Sequence, residues 1–105
     1  MAYKVQKSRA AEQDMFGILD YLTGTLASLS AARSFYNSLT SCYNRITKHP
    51  LLYPVCRDEE LAAQGFRCAP VTSYIAFYTV DDEKNIVRIH RIIHGTMDYS
   101  QMPME

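Results

Sequence analysis

The last third of this chain holds most of the side chains that could do chemistry. Residues 86–94 read Ile-Val-Arg-Ile-His-Arg-Ile-Ile-His, placing Arg88, His90, Arg91 and His94 among branched apolar residues. Two histidines four apart on a helix could share a metal ion. This run has the period of a strand, where the same spacing parts them by roughly 13 Å, too far for one ion. No metal site is expected. Singly, each imidazole titrates near neutrality and could move a proton, with His94 the better candidate and His90 the weaker. Arg67 could clamp a phosphate or carboxylate in bidentate fashion. It could equally satisfy a loop carboxylate such as Asp58 or Glu59. Tyr99, beyond the last strand, is the tyrosine to watch; Tyr36, Tyr43, Tyr74 and Tyr78 fall at periodic apolar positions and read as structural. Lys48 and His49 at the end of a predicted helix complement its dipole. No nucleophile elbow, glycine-rich phosphate loop or metal-spaced ligand set occurs.

The composition narrows the classes further. The chain of 105 residues, 48% apolar, has room for one domain spanning 1–105 and one core, and is too apolar to stay disordered. Its 11 basic and 11 acidic residues cancel, whereas proteins that grip nucleic acid unaided usually carry a net basic balance. No secretory signal opens the chain, and no run approaches the ~20 apolar residues of a bilayer span. Cys42, Cys56 and Cys68 are odd in number and widely spaced. They read as reduced thiols of a cytoplasmic protein. No cofactor is expected.

The elements that must position these groups follow from periodicity. After a β-prone stretch at 3–7, Ser8 is a plausible N-cap for a helix over 9–23. Its apolar face is Ala11, Met15, Ile18, Leu19 and Leu22, and Gly24 stops it. A second helix over 30–48 carries the stripe Ala32, Phe35, Leu39, Cys42, Tyr43 and Ile46, capped by Ser28 or Ser30, and ends at His49-Pro50. Residues 51–65 form a connecting loop with one helical turn near 59–63. The period then changes to two, with strands at 66–71, 73–80 and 86–94. The fold class is therefore α+β: an N-terminal strand and a two-helix hairpin packed on an antiparallel β-sheet, in the order β-α-α-β-β-β. Alternation along the last strand points Val87, Ile89, Arg91 and Ile93 at the helices and turns Arg88, His90 and His94 away. Arg91 then reads as a core-edge residue paired with a carboxylate or carbonyl.

Several segments together resemble the RelE/ParE superfamily of bacterial type II toxins. They are Tyr3-Lys4-Val5 and Ser8, then Ala11, Asp14, Ile18 and Tyr21-Leu22. Ala32, Phe35-Tyr36 and Pro50-x-x-Tyr53-Pro54 follow. The closest likeness is in the second half, in Gly65-x-Arg67, Tyr74-Ile75-Ala76-Phe77-Tyr78, Arg91-Ile92-Ile93-His94-Gly95 and Met97-Asp98-Tyr99. The resemblance spans nearly the whole chain and implies the same fold.

It also implies a growth-inhibiting, plasmid-stabilisation type of toxin neutralised by a small cognate antitoxin. RelE-like members cut messenger RNA on the ribosome with basic and acid-base residues. ParE-like members poison DNA gyrase by binding it. Many relatives carry arginine after the His-Gly pair, where this chain has Thr96 and Met97. With Arg67, His94 and Tyr99 as catalytic candidates and no evident general base, the ParE-like branch is favoured. The ribosomal nuclease and a decayed toxin that only binds antitoxin are the alternatives. Enzyme status stays open. A homodimer is allowed and a membrane partner is not expected. The antitoxin is expected to fill a groove beside the last strand.

Overall fold

The computed structural model describes residues 3–98. Strand β1 (Lys4–Lys7) leads into helix α1 (Arg9–Asp20), and Ser8 caps the helix by accepting the Ala11 amide at 3.0 Å. The same hydroxyl donates to the carbonyl of His90 at 2.8 Å, tying the helix start to the sheet. Instead of stopping at Gly24, the chain widens into a π turn (Tyr21–Thr25) closed by the Leu26 amide on the Tyr21 carbonyl. Helix α2 (Leu29–Lys48) begins at Ser28, whose side chain accepts from the Ala31 amide, and ends with Arg45 and Lys48 in its last turn, where the dipole favours cations. A short helix α3 (Glu59–Ala63) is capped by Asp58, near where one helical turn is expected. Strands β2 (Arg67–Val71), β3 (Tyr74–Asp81) and β4 (Ile86–His94) complete the α+β fold.

The sheet order is β1-β4-β3-β2. The last three strands are antiparallel neighbours, as expected, while β1 runs parallel to β4 from Lys4 beside Ile86 to Lys7 beside Ile89. The sheet is therefore mixed. Beyond Lys7 no strand among the described residues covers the edge of β4. Helix α1 takes over there: the Asp14 carboxylate accepts the Ile92 amide at 3.0 Å, doing for one edge N–H what a fifth strand would do.

The main core lies between the sheet and the helical hairpin. It joins Ala11, Phe35, Leu39, Cys42 and Ile46 to Ala69, Val71, Ala76, Tyr78, Val87, Ile89 and Ile92. Fully burying Phe35 alone is worth about 2 kcal/mol in apolar area. A smaller cluster of Cys56, Leu61, Phe66, Phe77 and Ile93 fills the opposite face of the sheet. Segment 51–66 supplies three of those five residues, so it acts as a cover over that face.

Three expectations need correction. Alternation along β4 is broken by a bulge: Phe77 lies opposite Arg91 and Tyr78 opposite Ile89, so His90 is the extra residue of the bulge. Val87 and Ile89 face the helices as expected, but past the bulge Ile92 does so and Ile93 turns to the far face. Cys56 and Cys68 are not free thiols. They are joined as a disulfide across 5.3 Å between Cα atoms, and Cys42 alone stays free and buried. The widely spaced cysteines meet because residues 54–56 return alongside 66–68, with Val55 bridged to Arg67. Tyr36, expected to be structural, is half exposed on α2.

Candidate functional site

His94 ends β4 opposite Tyr74, the first residue of β3, and their rings meet edge to face at 5.1 Å. Tyr74 in turn meets Phe35 of α2 edge to face at 5.2 Å. The bulge has placed His94 on the helix side, half-buried, and not on the opposite face that unbroken alternation assigned to it. Its Nδ1 lies 2.7 Å from the Thr96 hydroxyl and 3.2 Å from the Thr96 amide. A backbone amide can only donate, so Nδ1 is the acceptor and the neutral ring carries its proton on Nε2. Gly95 gives room beside it. Its amide donates to the Ser73 carbonyl at 2.9 Å, and a Cβ there would sit 3.3 Å from that same oxygen. Ser73 belongs to the two-residue β2–β3 turn, in which Thr72 takes a left-handed conformation (φ 53°) unusual for a β-branched residue.

Two hollows flank this pair. One, of about 500 Å³, is lined by Tyr21, Leu22, Leu26, Ser34, Tyr74 and His94 among others. The second, of about 350 Å³, runs past Asp14, Gly17, Ile18, Arg91 and Met97. Tyr21, Tyr74 and His94 line both, so the two form one groove beside the end of β4. Apolar groups line it: Tyr21 and Leu26 expose roughly half of their surface. Burial raises the Tyr74 hydroxyl pKa above the ordinary value, and the nearby Tyr21 adds to this.

Arg67 sits elsewhere. At the start of β2 its Nη1 donates to the Tyr53 carbonyl at 2.6 Å, not to Asp58 or Glu59. Tyr53 accepts from Arg45 through its hydroxyl, and the neighbouring Tyr78 hydroxyl donates to the Pro50 carbonyl. Arg67 pairs with Tyr78 and His94 with Tyr74, which puts them four residues apart along β3 and two strands apart across it. That is about 13 Å in one direction and about 10 Å in the other. The structure does not bring them together. Tyr99 lies outside the described residues.

Arg91 is held as a core-edge residue. Its Nε and Nη2 bind Asp14 at 2.7 and 3.0 Å in a fork. His90 is on the far face, buried under the edge of Phe66 and 2.8 Å from the Thr79 hydroxyl. Burial and the positive charge of Arg88 lower its pKa to about 4, so it is neutral at pH 7. The two histidines therefore stand on opposite faces and serve different ends. Asp14 is the residue that sequence reasoning passed over. The signal was there: it lies three residues after Ala11 and four before Ile18, on the apolar stripe where a carboxylate needs a partner.

The arrangement of two helices against this four-stranded sheet is that of bacterial toxins. The toxin of the RelBE2 toxin-antitoxin complex from Mycobacterium tuberculosis shares it, at 19% identity and a TM-score of 0.53 over 90% of this chain and 99% of that one. A mutant of the E. coli toxin RelE in the free state is 16% identical with a TM-score of 0.62, over 91% and 86%. The chromosomal ParDE system of P. aeruginosa gives 17% and 0.61, over 89% and 96%. Among curated protein sequences nothing matches the chain. Residues 5–99 match the ParE toxin of the type II toxin-antitoxin system parDE, and the chain belongs to that family.

Proposed function

We propose that this toxin acts in the ParE manner, by binding DNA gyrase, and not by cutting messenger RNA. One observation carries the reading: the arginine and histidine best suited to the chemistry are held at separate places. RNA cleavage needs a phosphate-stabilising cation and proton-transfer groups within hydrogen-bond reach of one bond. Arg67 is engaged by Tyr53 and stands some 13 Å along the sheet from the residue level of His94. On the far face, the buried His90 is neutral and covered by Phe66. A binding toxin needs no such convergence. Induced expression in cells, with supercoiling and translation read separately, tests this. Loss of supercoiling with translation initially intact is expected. Ribosome-dependent cuts in messenger RNA that vanish in Arg67→Ala would assign the nuclease mechanism instead.

The groove around His94 and Tyr74 is the docking place of the cognate antitoxin in this reading. Its walls are apolar and exposed, as suits the apolar face of an amphipathic segment. Leu26→Asp puts a charge on that wall at a half-exposed position, so folding should be preserved. Antitoxin binding measured by calorimetry should weaken by roughly 30-fold or more, the size expected for a well-placed anchor. An unchanged affinity would place the antitoxin on another surface.

A further inference from the structure

The geometry points to the Cys56–Cys68 disulfide as a redox latch that fastens segment 51–66 over the sheet face away from the helices. Without the bond, little backbone pairing holds this segment. The Cys56 amide donates to the Phe66 carbonyl at 2.9 Å, the Cys68 amide reaches the Pro54 carbonyl at 3.4 Å, and Val55 bridges Arg67. Its start is held separately, where Tyr53 packs against the main core and accepts from Arg45 and Arg67. Beyond Pro54 its apolar hold is the small cluster in which Cys56, Leu61 and Phe66 meet Phe77 and Ile93, with His90 edge to face against Phe66. The disulfide closes the base of this cover, with α3 and Phe66 inside the closed loop. The far-face cluster is too small to fix residues 54–66 with the rigidity of the main core.

The bond is also within reach of a reductant. A crevice of about 310 Å³, lined by Pro54, Val55, Cys56, Arg57, Cys68 and Ile75, opens beside it. Cys68 is half-buried whereas Cys56 is 3% exposed, so Cys68 is the sulfur an incoming thiol meets. A thiolate of the glutathione class attacks Cys68 Sγ, forming a mixed disulfide and releasing Cys56 as thiolate. A second thiol attacks the mixed disulfide, releases Cys68, and leaves as the oxidised reductant; the two protons of the thiols end on the two cysteines. Arg57 stands on the rim of the crevice, a positive charge beside the path of an incoming thiolate. Reduction frees the cover and uncovers the apolar Phe77 and Ile93 together with His90, while the helical hairpin and its groove stay as they are. The surface offered by the toxin then depends on the thiol balance around it.

The test uses the full chain equilibrated in buffers of reduced and oxidised glutathione, read by thiol alkylation and amide hydrogen exchange. In the reduced state two new thiols should label, at Cys56 and Cys68, with the buried Cys42 silent. Exchange in residues 57–66 should then speed up roughly tenfold or more, while α2 and β4 keep their protection. Cys56→Ser in oxidising buffer should reproduce that pattern. The proposal is overturned if the bond survives millimolar reduced glutathione, or if exchange in 57–66 does not change on reduction. It is equally overturned if exchange accelerates as much in α2 and β4, since the disulfide would then staple the whole fold.

Discussion

Asp14→Ala is expected to cost about 4 kcal/mol of folding stability, more than any single apolar truncation at the rim of the core. The carboxylate does two jobs. Oδ2 accepts from Arg91 Nε at 2.7 Å and from the Ile92 amide at 3.0 Å, and Oδ1 accepts from Arg91 Nη2 at 3.0 Å. Both side chains of the pair are largely shielded, at 16% and 17% exposed. Removing one member of such a pair costs about 3–5 kcal/mol, because the charge left behind stays desolvated. Losing the edge amide's acceptor adds to that. Arg91→Ala should be milder, about 3 kcal/mol, since Asp14 keeps the Ile92 amide. Asp14→Asn should fall between wild type and alanine, since its amide oxygen can still accept from Ile92. Urea unfolding midpoints at pH 7 for the three variants check the order. A cost below about 1 kcal/mol for Asp14→Ala would show that α1 is not anchored to β4 through this carboxylate.

The helices were legible because their apolar stripes repeat with the helical period and serines stand just ahead of them. Ser8 and Ser28 cap α1 and α2, and Phe35, Leu39, Cys42 and Ile46 are buried in the core. The strands β3 and β4 announce themselves by composition. What stayed hidden depends on contacts between distant segments. Four residues of β1 carry a propensity but no record of direction, and their parallel pairing is decided by which edge of β4 remains open. The bulge at His90 leaves no mark in the sequence, since no glycine or proline interrupts residues 86–94. It reverses the faces of the residues that follow it, Ile92, Ile93 and His94 among them, while Arg91 reaches round to Asp14 of α1. The site suffered most from this, because the expectation that His94 faces away from the helices rested on strict alternation. The role of Arg91 as an ion-paired residue held for a different reason: a guanidinium at the edge of a core needs a partner wherever it points. The disulfide was hidden for the same reason as β1, because twelve residues of sequence say nothing about a segment that doubles back.

His90 should make the fold sensitive to mild acid. Its ring is 8% exposed, sits edge to face 4.8 Å from Phe66 of the cover, and binds Thr79 of β3 through Nε2. Burial lowers its pKa from 6.5 to about 4, and Arg88 on its own strand pushes in the same direction. Below pH 6.5 the unfolded chain takes up a proton that the folded chain refuses. The stability this neutral histidine allows is thus fully present above about pH 6.5 and is lost progressively as pH falls from 6.5 towards 4. A difference of two to three pKa units corresponds to about 3 kcal/mol over that window. Below about pH 4 the folded form also binds the proton, and this contribution stops changing. His90→Gln keeps a polar group near Thr79 but cannot take up a proton. It should begin less stable than wild type at pH 7 and lose less on acidification, so the two stability curves converge between pH 6.5 and 4. Urea unfolding across that range measures the gap at each pH. Parallel curves would mean that His90 protonates as easily in the folded protein as in the unfolded chain, and that Phe66 and its segment do not keep water from it.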